Sequence, residues 1–292
     1  MTARRELDRR SVLAGAASGL FVGGALGFVA GRPLGDEQSA VASRPTPRPD
    51  PPPSSAPTPR AAPPAERRPP FGYHSYAQQG EDLVMKNLLD MAGFTKPTYL
   101  DVGAHHPIKD NNTFLFYTQG ARGVLVEPNP AYAAMLREAR PGDVVVEAGI
   151  GTTAQTDADY YVVDGDGQLN TFSKTQADEL VTHGGRRIEK VIKRALFKID
   201  AVIETHLGGK APDLLSLDVE GMDLAILQTL DMKRFRPKVV CVETVELATA
   251  RVARPILALL EKNRYSVRGG SFANTIFIAD ELLAVYAKLE PR

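Results

Sequence analysis

Tryptophan is absent and cysteine occurs once in 292 residues, at Cys241. A lone cysteine excludes an internal disulfide framework and any cysteine-rich metal site. Its setting, Lys238-Val-Val-Cys-Val-Glu243, is that of a buried strand, so the thiol reads as core. Net charge is missing as well, with 35 basic residues balancing 35 acidic ones. That balance removes any global electrostatic attraction for nucleic acid, which is therefore not expected as a partner.

Charge of either sign is lacking from Ser11 to Gly31, directly after Arg4, Arg5, Arg9 and Arg10. Within this run Gly15, Gly19, Gly23, Gly27 and Gly31 recur every fourth residue, and such positions share one helix face. A second helix could approach closely along that strip, so self-association through it is an expectation. Interior glycines weaken a helix in water, whereas in lipid the backbone must bond to itself. At about 1.5 Å per residue the run nearly covers a roughly 30 Å hydrocarbon layer. Residues 1–32 are accordingly expected to be a membrane anchor or signal-like segment. The run Asp8-Arg9-Arg10-Ser11-Val12-Leu13 resembles a twin-arginine export signal, which makes export the alternative. Residues 33–72 contain Pro51-Pro52-Pro53, Pro63-Pro64 and Pro69-Pro70. Proline fixes φ and removes donors, so this part is expected to be an extended linker.

A globular texture begins near Tyr73 and gives the third division, residues 73–292. Glu81 to Met91 predicts a helix buried through Leu83, Met85, Leu88 and Leu89 and ended by Gly93. Short apolar runs follow at 98–102, 123–127 and 143–147, the last rich enough in β-branched residues to predict a buried strand. Ala131 to Arg140 predicts a helix with Met135 and Leu136 inward. Between Arg186 and Lys198 six basic residues interleave with Ile188, Val191, Ile192 and Leu196, a pattern compatible with helix or strand. Further strands are expected at 213–218 and 238–243, with helices at 222–230 and 254–263. Two last strands, 265–267 and 274–278, read as an antiparallel hairpin joined through Gly269-Gly270. Strands alternating with helices imply a mostly parallel sheet covered on both faces.

Open sheets of this kind bind ligands beyond the carboxyl ends of their strands. Asp101, Glu127, Glu147, Asp218, Glu220 and Glu243 cluster at those ends. Asp101-Val-Gly103-Ala104 puts a carboxylate and a glycine where the first strand turns. Glu127, at the next strand tip, is placed to accept two ribose hydroxyls, so an adenosine-bearing ligand is expected. The turn Gly103-Ala-His-His-Pro107 lacks the glycines that admit a pyrophosphate, which argues against a nicotinamide cofactor.

The chain resembles the FkbM family of methyltransferases. The matching stretches are Gln78-Gln-Gly-Glu-Asp82, Tyr99-Leu-Asp-Val-Gly-Ala-His-His-Pro107 with Asn112-Thr113, and Val124-Leu-Val-Glu-Pro-Asn-Pro130. The most specific is Asp213-Leu-Leu-Ser-Leu-Asp-Val-Glu-Gly-Met-Asp223, followed by Arg236-Pro-Lys-Val-Val-Cys-Val-Glu243. This resemblance implies a Rossmann-like class I methyltransferase fold, a seven-stranded sheet with a hairpin edge. It also implies S-adenosylmethionine as donor and O-methylation of a hydroxyl on a sugar, glycan or other secondary metabolite. By it, Asp101 and Gly103 line the donor pocket and Glu127 holds the ribose; Ala104 and Glu147 are expected to bind the cofactor as well. Asp218 and Glu220 face the reacting centre; Asp223 is a further catalytic candidate, and His105 is a candidate general base. No metal is assigned, although the same carboxylates could gather oxygen ligands around Mg²⁺. A catalytically silent nucleotide-binding or assembly module is the alternative on this fold. The family often has Ser where this sequence has Ala77, before the first glutamine of its opening motif. The four N-terminal arginines favour a cytoplasmic N-terminus and an external domain. An enzyme using a cytoplasmic donor needs the reverse, so membrane association with a cytoplasm-facing domain is the expectation.

Overall fold

A computed structural model describes residues 73–165, 167–246 and 251–288. The first helix, α1 (Glu81–Met91), opens on two acidic residues and buries Met85, Leu88 and Leu89. Then come β1 (Tyr99–Val102), α2 (Phe114–Thr118), β2 (Gly123–Val126), α3 (Pro130–Ala139) and β3 (Val144–Val146). A second group is β4 (Gly149–Ile150), β5 (Asp157–Val163), α4 (Lys174–Thr182), β6 (Ile188–Phe197) and α5 (Ile199–His206). The chain re-enters the main sheet with β7 (Leu214–Leu217), α6 (Asp223–Thr229) and β8 (Val239–Glu243). After the short β9 (Val245–Glu246) and β10 (Arg251–Val252) come α7 (Arg254–Lys262), β11 (Tyr265–Gly270), β12 (Asn274–Ala279) and α8 (Leu283–Tyr286).

The main sheet has seven strands in the order β11-β12-β8-β7-β1-β2-β3. β12 runs antiparallel to both neighbours, and the pairings from β8 through β3 are parallel. From β1 the chain builds outward to β2 and β3, then returns to place β7 on the other side of β1. Strand order therefore reverses between β1 and β7, where an open sheet presents a binding crevice. This is the expected Rossmann-like class I methyltransferase architecture with its hairpin edge.

Alternate residues feed two cores. One face carries Leu100, Val102, Val124, Val126, Leu215, Leu217, Val240 and Val242 under α5, α6 and α7. The opposite face carries Tyr99, Leu125, Leu214, Val239, Cys241, Ile276 and Ile278 under α1. Cys241 is fully buried, as its neighbours predict.

Several local expectations are corrected. Met135 is 39% exposed, because α3 turns Ala133 and Leu136 to the sheet instead. β3 is the sheet edge, so Val144 is 42% exposed rather than buried. The basic stretch is a ten-residue strand, β6, paired antiparallel with β5 in a separate three-stranded sheet. Gly269 and Gly270 belong to β11 itself, and the hairpin turn lies at 271–273.

The membrane placement is corrected as well. Among the described residues no helix is long and apolar enough to cross a membrane. α1, at 11 residues, reaches about 16 Å against a roughly 30 Å hydrocarbon layer. The expected anchor at 11–31, its glycine strip, the export-signal alternative and the linker at 33–72 lie outside the described residues. The described helices thus give membrane association and a cytoplasm-facing domain no support, and zero net charge by itself does not exclude nucleic acid as a partner.

Candidate active site

On the β1–β2 side a loop is pinned at each turn. Gly103 has φ 85, and a Cβ there would lie 1.8 Å from the Asp218 carbonyl oxygen. Only glycine lets β1 and β7 close at this row. The following residues are clamped by Asn111, whose Nδ2 donates to the carbonyls of Ala104 (3.0 Å) and His106 (3.1 Å). Backbone amides of Ile108 and Lys109 donate to His106 Nδ1, so that ring closes the turn. His105 sits at φ 49 with its ring 4.1 Å from that of Tyr132.

Glu127, at the tip of β2, is 4% exposed. Its carboxylate accepts the His105 amide at 2.8 Å on one oxygen and the Asn129 amide at 2.6 Å on the other. Each oxygen keeps a further lone pair, so the group is oriented without being saturated. Burial raises its pKa to about 7, opposed by those two backbone donors. This donor set fits a ribose diol, which brings two O–H groups and no competing charge.

Asp101 lies deeper, 4% exposed, and accepts Thr113 Oγ1 at 2.7 Å. Burial raises its pKa. Behind it stands Arg140, fully buried, which ion-pairs with Asp143 at 2.8 Å. The same guanidinium donates to Asn111, Tyr99 and Thr113, each at 3.0 Å. Tyr99 in turn donates to Asp143 at 2.7 Å. Sequence reading missed Arg140 and Asp143. The signal was a charged residue at the end of an amphipathic helix, which surface helices also carry.

The β7–β8 side is built differently. Asp218, Glu220 and Glu243 are half-buried, and each offers a carboxylate oxygen within 4.8 Å of the others. Burial, reinforced by Asp101 and Glu81, raises the Asp218 pKa to about 6. Burial with the Asp218 and Asp223 charges raises Glu220 well above its usual range. Glu243 is pushed to about 10 by burial and by Asp218, Glu220 and Asp223. Glu220 adopts φ 54, held by Thr171 Oγ1 on its carbonyl (2.9 Å) and by Gln176 Nε2 on its carboxylate (3.0 Å). Asp223 begins α6 and accepts the Val219 amide at 3.3 Å, so it shapes the loop between β7 and α6. A cavity of about 460 Å³ opens beside this cluster, bounded by Asp223, Glu243, Ser173, Thr175, Gln176 and Glu179.

The opening motif also finds its role here. Glu81 accepts the Gln79 amide (2.8 Å) and Asn274 Nδ2 (3.1 Å), while Gln79 Oε1 accepts the Phe272 amide (2.8 Å). These bonds tie the start of α1 to the hairpin. Ser75 donates its hydroxyl to Asp82 at 2.6 Å, next to Ala77, whose backbone amide donates to the other oxygen of Asp82. Glu147 is engaged by two guanidinium groups, Arg194 at 2.7 Å and Arg137 at 2.9 Å. His183 and His206 are exposed.

A search of curated proteins gave no match. Among solved structures, a methyltransferase FkbM from Methylobacillus flagellatus KT aligns at 13% identity and TM-score 0.39. That alignment covers 63% of this chain and 43% of that one, so the chain spans under half of its length. A TehB-like SAM-dependent methyltransferase from Corynebacterium glutamicum aligns at 10% identity, covering 69% and 88% of the two chains, TM-score 0.37. Magnesium protoporphyrin IX methyltransferase from Synechocystis PCC 6803 aligns at 6% identity, covering 68% and 82%, TM-score 0.36. The decisive comparison is with a family model, the methyltransferase FkbM domain, which matches residues 101–267. That span is more than half of the 292 residues and runs from Asp101 past Glu243. The chain belongs to the FkbM methyltransferase family.

Proposed function

We propose that this chain is an S-adenosylmethionine-dependent methyltransferase that transfers the methyl group to a hydroxyl oxygen of a sugar or another hydroxylated secondary metabolite. The observation that carries the reading is the 460 Å³ cavity whose wall joins Asp223 and Glu243 to Ser173, Thr175 and Gln176. Hydroxyl groups are donors and acceptors at once, and this lining offers both. The carboxyl side chains in that wall can accept from or donate to a neutral, hydroxyl-rich acceptor.

S-adenosylmethionine, when bound, supplies an electrophilic methyl group on a sulfonium. Glu127 holds its ribose, with the His105 and Asn129 amides fixing the carboxylate. Asp101 and the backbone at Gly103 and Ala104 line the rest of that side. His105 is then a positioning residue, acting through its backbone amide. Glu220 orients the acceptor hydroxyl and Asp218 takes its proton as the oxygen attacks. Asp223 positions them by holding the loop at Val219.

Calorimetry with S-adenosylmethionine, paired with transfer of labelled methyl to a panel of free sugars, glycosides and polyphenols, tests the assignment. Asp218→Asn is expected to lower kcat at least a hundredfold with donor affinity within threefold of wild type. Turnover on amine or thiol acceptors with none on hydroxyls would reject the hydroxyl reading. Loss of donor binding in a folded Asp218→Asn protein would reject the division of roles.

A further inference from the structure

The acceptor side holds more negative oxygen than one proton transfer requires, and the sheet register explains how it is assembled. β7 and β8 pair Leu217 with Val242, and β12 pairs Asn274 with Glu243. Asp218, Glu243 and Asn274 therefore occupy one row across three neighbouring strands. Residues two apart along a strand share a face, so this row continues the α1-facing side that carries Cys241 and Ile276. Glu220 follows two residues after Asp218, and its carboxylate reaches the same point.

A second, independent feature lies in that row. Asn274 is 3% exposed, and its Nδ2 donates to Glu81. Its carbonyl oxygen Oδ1 is buried with no hydrogen-bond partner among the described residues. Swapping the amide would set the carbonyl against the Glu81 carboxylate, so the orientation is fixed by that contact. The carboxylates in the row are acceptors and, while ionised, cannot satisfy another acceptor. A cation is the kind of ligand that the three clustered carboxylates and, beside Glu243 in the row, the unpartnered Asn274 carbonyl both call for.

We propose that Asp218, Glu220, Glu243 and Asn274 Oδ1 form a binding site for one hard divalent cation of the Mg²⁺ or Mn²⁺ kind. Oxygen-only donors select such ions over Zn²⁺ or Cu²⁺, which favour imidazole or thiolate. Ligands on opposite sides of Mg²⁺ stand about 4.2 Å apart, twice its usual bond length, so oxygens within 4.8 Å need only slight closure. The site borders the cavity through Glu243, which leaves a coordination position for an acceptor hydroxyl. That use of the ion rests on the proposed hydroxyl acceptor. The cation site itself does not.

Mn²⁺ titration of the full-length protein, followed by the loss of the free-ion electron paramagnetic resonance signal, tests the proposal. One saturable site is expected, weakened at least tenfold by Glu243→Gln and by Asp218→Asn, with melting curves confirming that both variants fold. Asn274→Ala is expected to weaken it about tenfold. No saturable Mn²⁺ site in folded wild-type protein overturns the proposal, as does unchanged affinity in Glu243→Gln and Asp218→Asn. Donor calorimetry on the same preparations separates the two readings. Normal donor binding and hydroxyl methylation without Mn²⁺ binding rejects the cation alone. Mn²⁺ bound at this row without methylation of any hydroxyl rejects the acceptor alone.

Discussion

On the β1–β2 side, Asp101, Asn111 and Glu127 find hydrogen-bond donors within the protein, whereas on the β7–β8 side carboxylates stand against one another. Arg140 anchors the first region through four partners. In the second, Gln176 Nε2 supplies a single amide donor to Glu220 amid like charges. A cofactor that is the same on every turnover is served by a loop folded in advance, since preorganised groups need not be ordered on binding. On the proposed roles, groups that meet an acceptor and move its proton cannot be tied up in advance. Their strain is the expected mark of a functional site.

The sharpest way to break this comparison is to remove the brace. Arg140→Met keeps an unbranched apolar stem but strips Asp143 of its buried ion pair and Asn111, Tyr99 and Thr113 of a donor. Breaking a buried pair from one side costs about 3–5 kcal/mol. Urea unfolding should show that loss, with donor affinity falling in whatever fraction stays folded. A change below about 1 kcal/mol would mean that the network is incidental to the loop. Gly103→Ala comes next. Its Cβ meets the Asp218 carbonyl in a left-handed backbone conformation, so both strain and strand separation follow. We expect about 2–4 kcal/mol of destabilisation together with impaired donor binding. An alanine variant with wild-type stability would show that β1 and β7 do not close as tightly as their register requires.

How far these features were legible in the sequence follows from what each depends on. The sheet could be read because its strands are local apolar runs with acidic tips, and Asp101, Gly103 and Glu127 sit where such runs end. Asp218, Glu220 and Asp223 were legible for the same reason. The row completed by Asn274 was not, because it depends on β12 inserting between β8 and β11, a pairing across 31 positions of chain. Arg140 was equally hidden, since an arginine at a helix end is ordinarily solvated and only tertiary packing buries it. The stretch from Arg186 to Lys198 defeated periodicity because β6 alternates half-buried with exposed residues, so no strong apolar face marks it as strand.

Glu127→Gln sharpens the comparison by removing charge while keeping shape. An amide accepts ribose hydroxyls less strongly, so donor affinity should fall by about 1–3 kcal/mol in calorimetry. The pH dependence is more distinctive. Burial raises the folded carboxyl from near 4.5 to about 7, so the folded state holds a proton that the unfolded chain has released. That contribution to stability is complete below about pH 4.5 and lost as pH rises through 7, up to about 3 kcal/mol. Wild-type protein should therefore lose stability between these limits while gaining donor affinity, because the ionised form is the better acceptor. In Glu127→Gln both slopes should flatten, and a variant retaining them would move the titration to another group.

Glu147→Gln should have the smallest effect and the opposite sign with pH. The Arg194 guanidinium, and then Arg137, hold this carboxyl below its usual range, so its contribution is present at neutral pH and lost on acidification. Its side chain is 30% exposed and Arg137 is 48% exposed, so solvent screens the pairs. Exposed pairs are usually worth about 0–1 kcal/mol, and the urea midpoint should shift within that range. Both carboxylate oxygens already accept guanidinium donors, which leaves Glu147 poorly placed to bind a ribose as Glu127 does. Donor affinity in Glu147→Gln should accordingly stay within about threefold of wild type, well under the loss in Glu127→Gln. Equal losses in the two variants would place Glu147 on the cofactor. They would also show that an ion-paired strand-end carboxylate serves the donor as well as one held by backbone amides, which is the point on which the contrast between the two carboxylates turns.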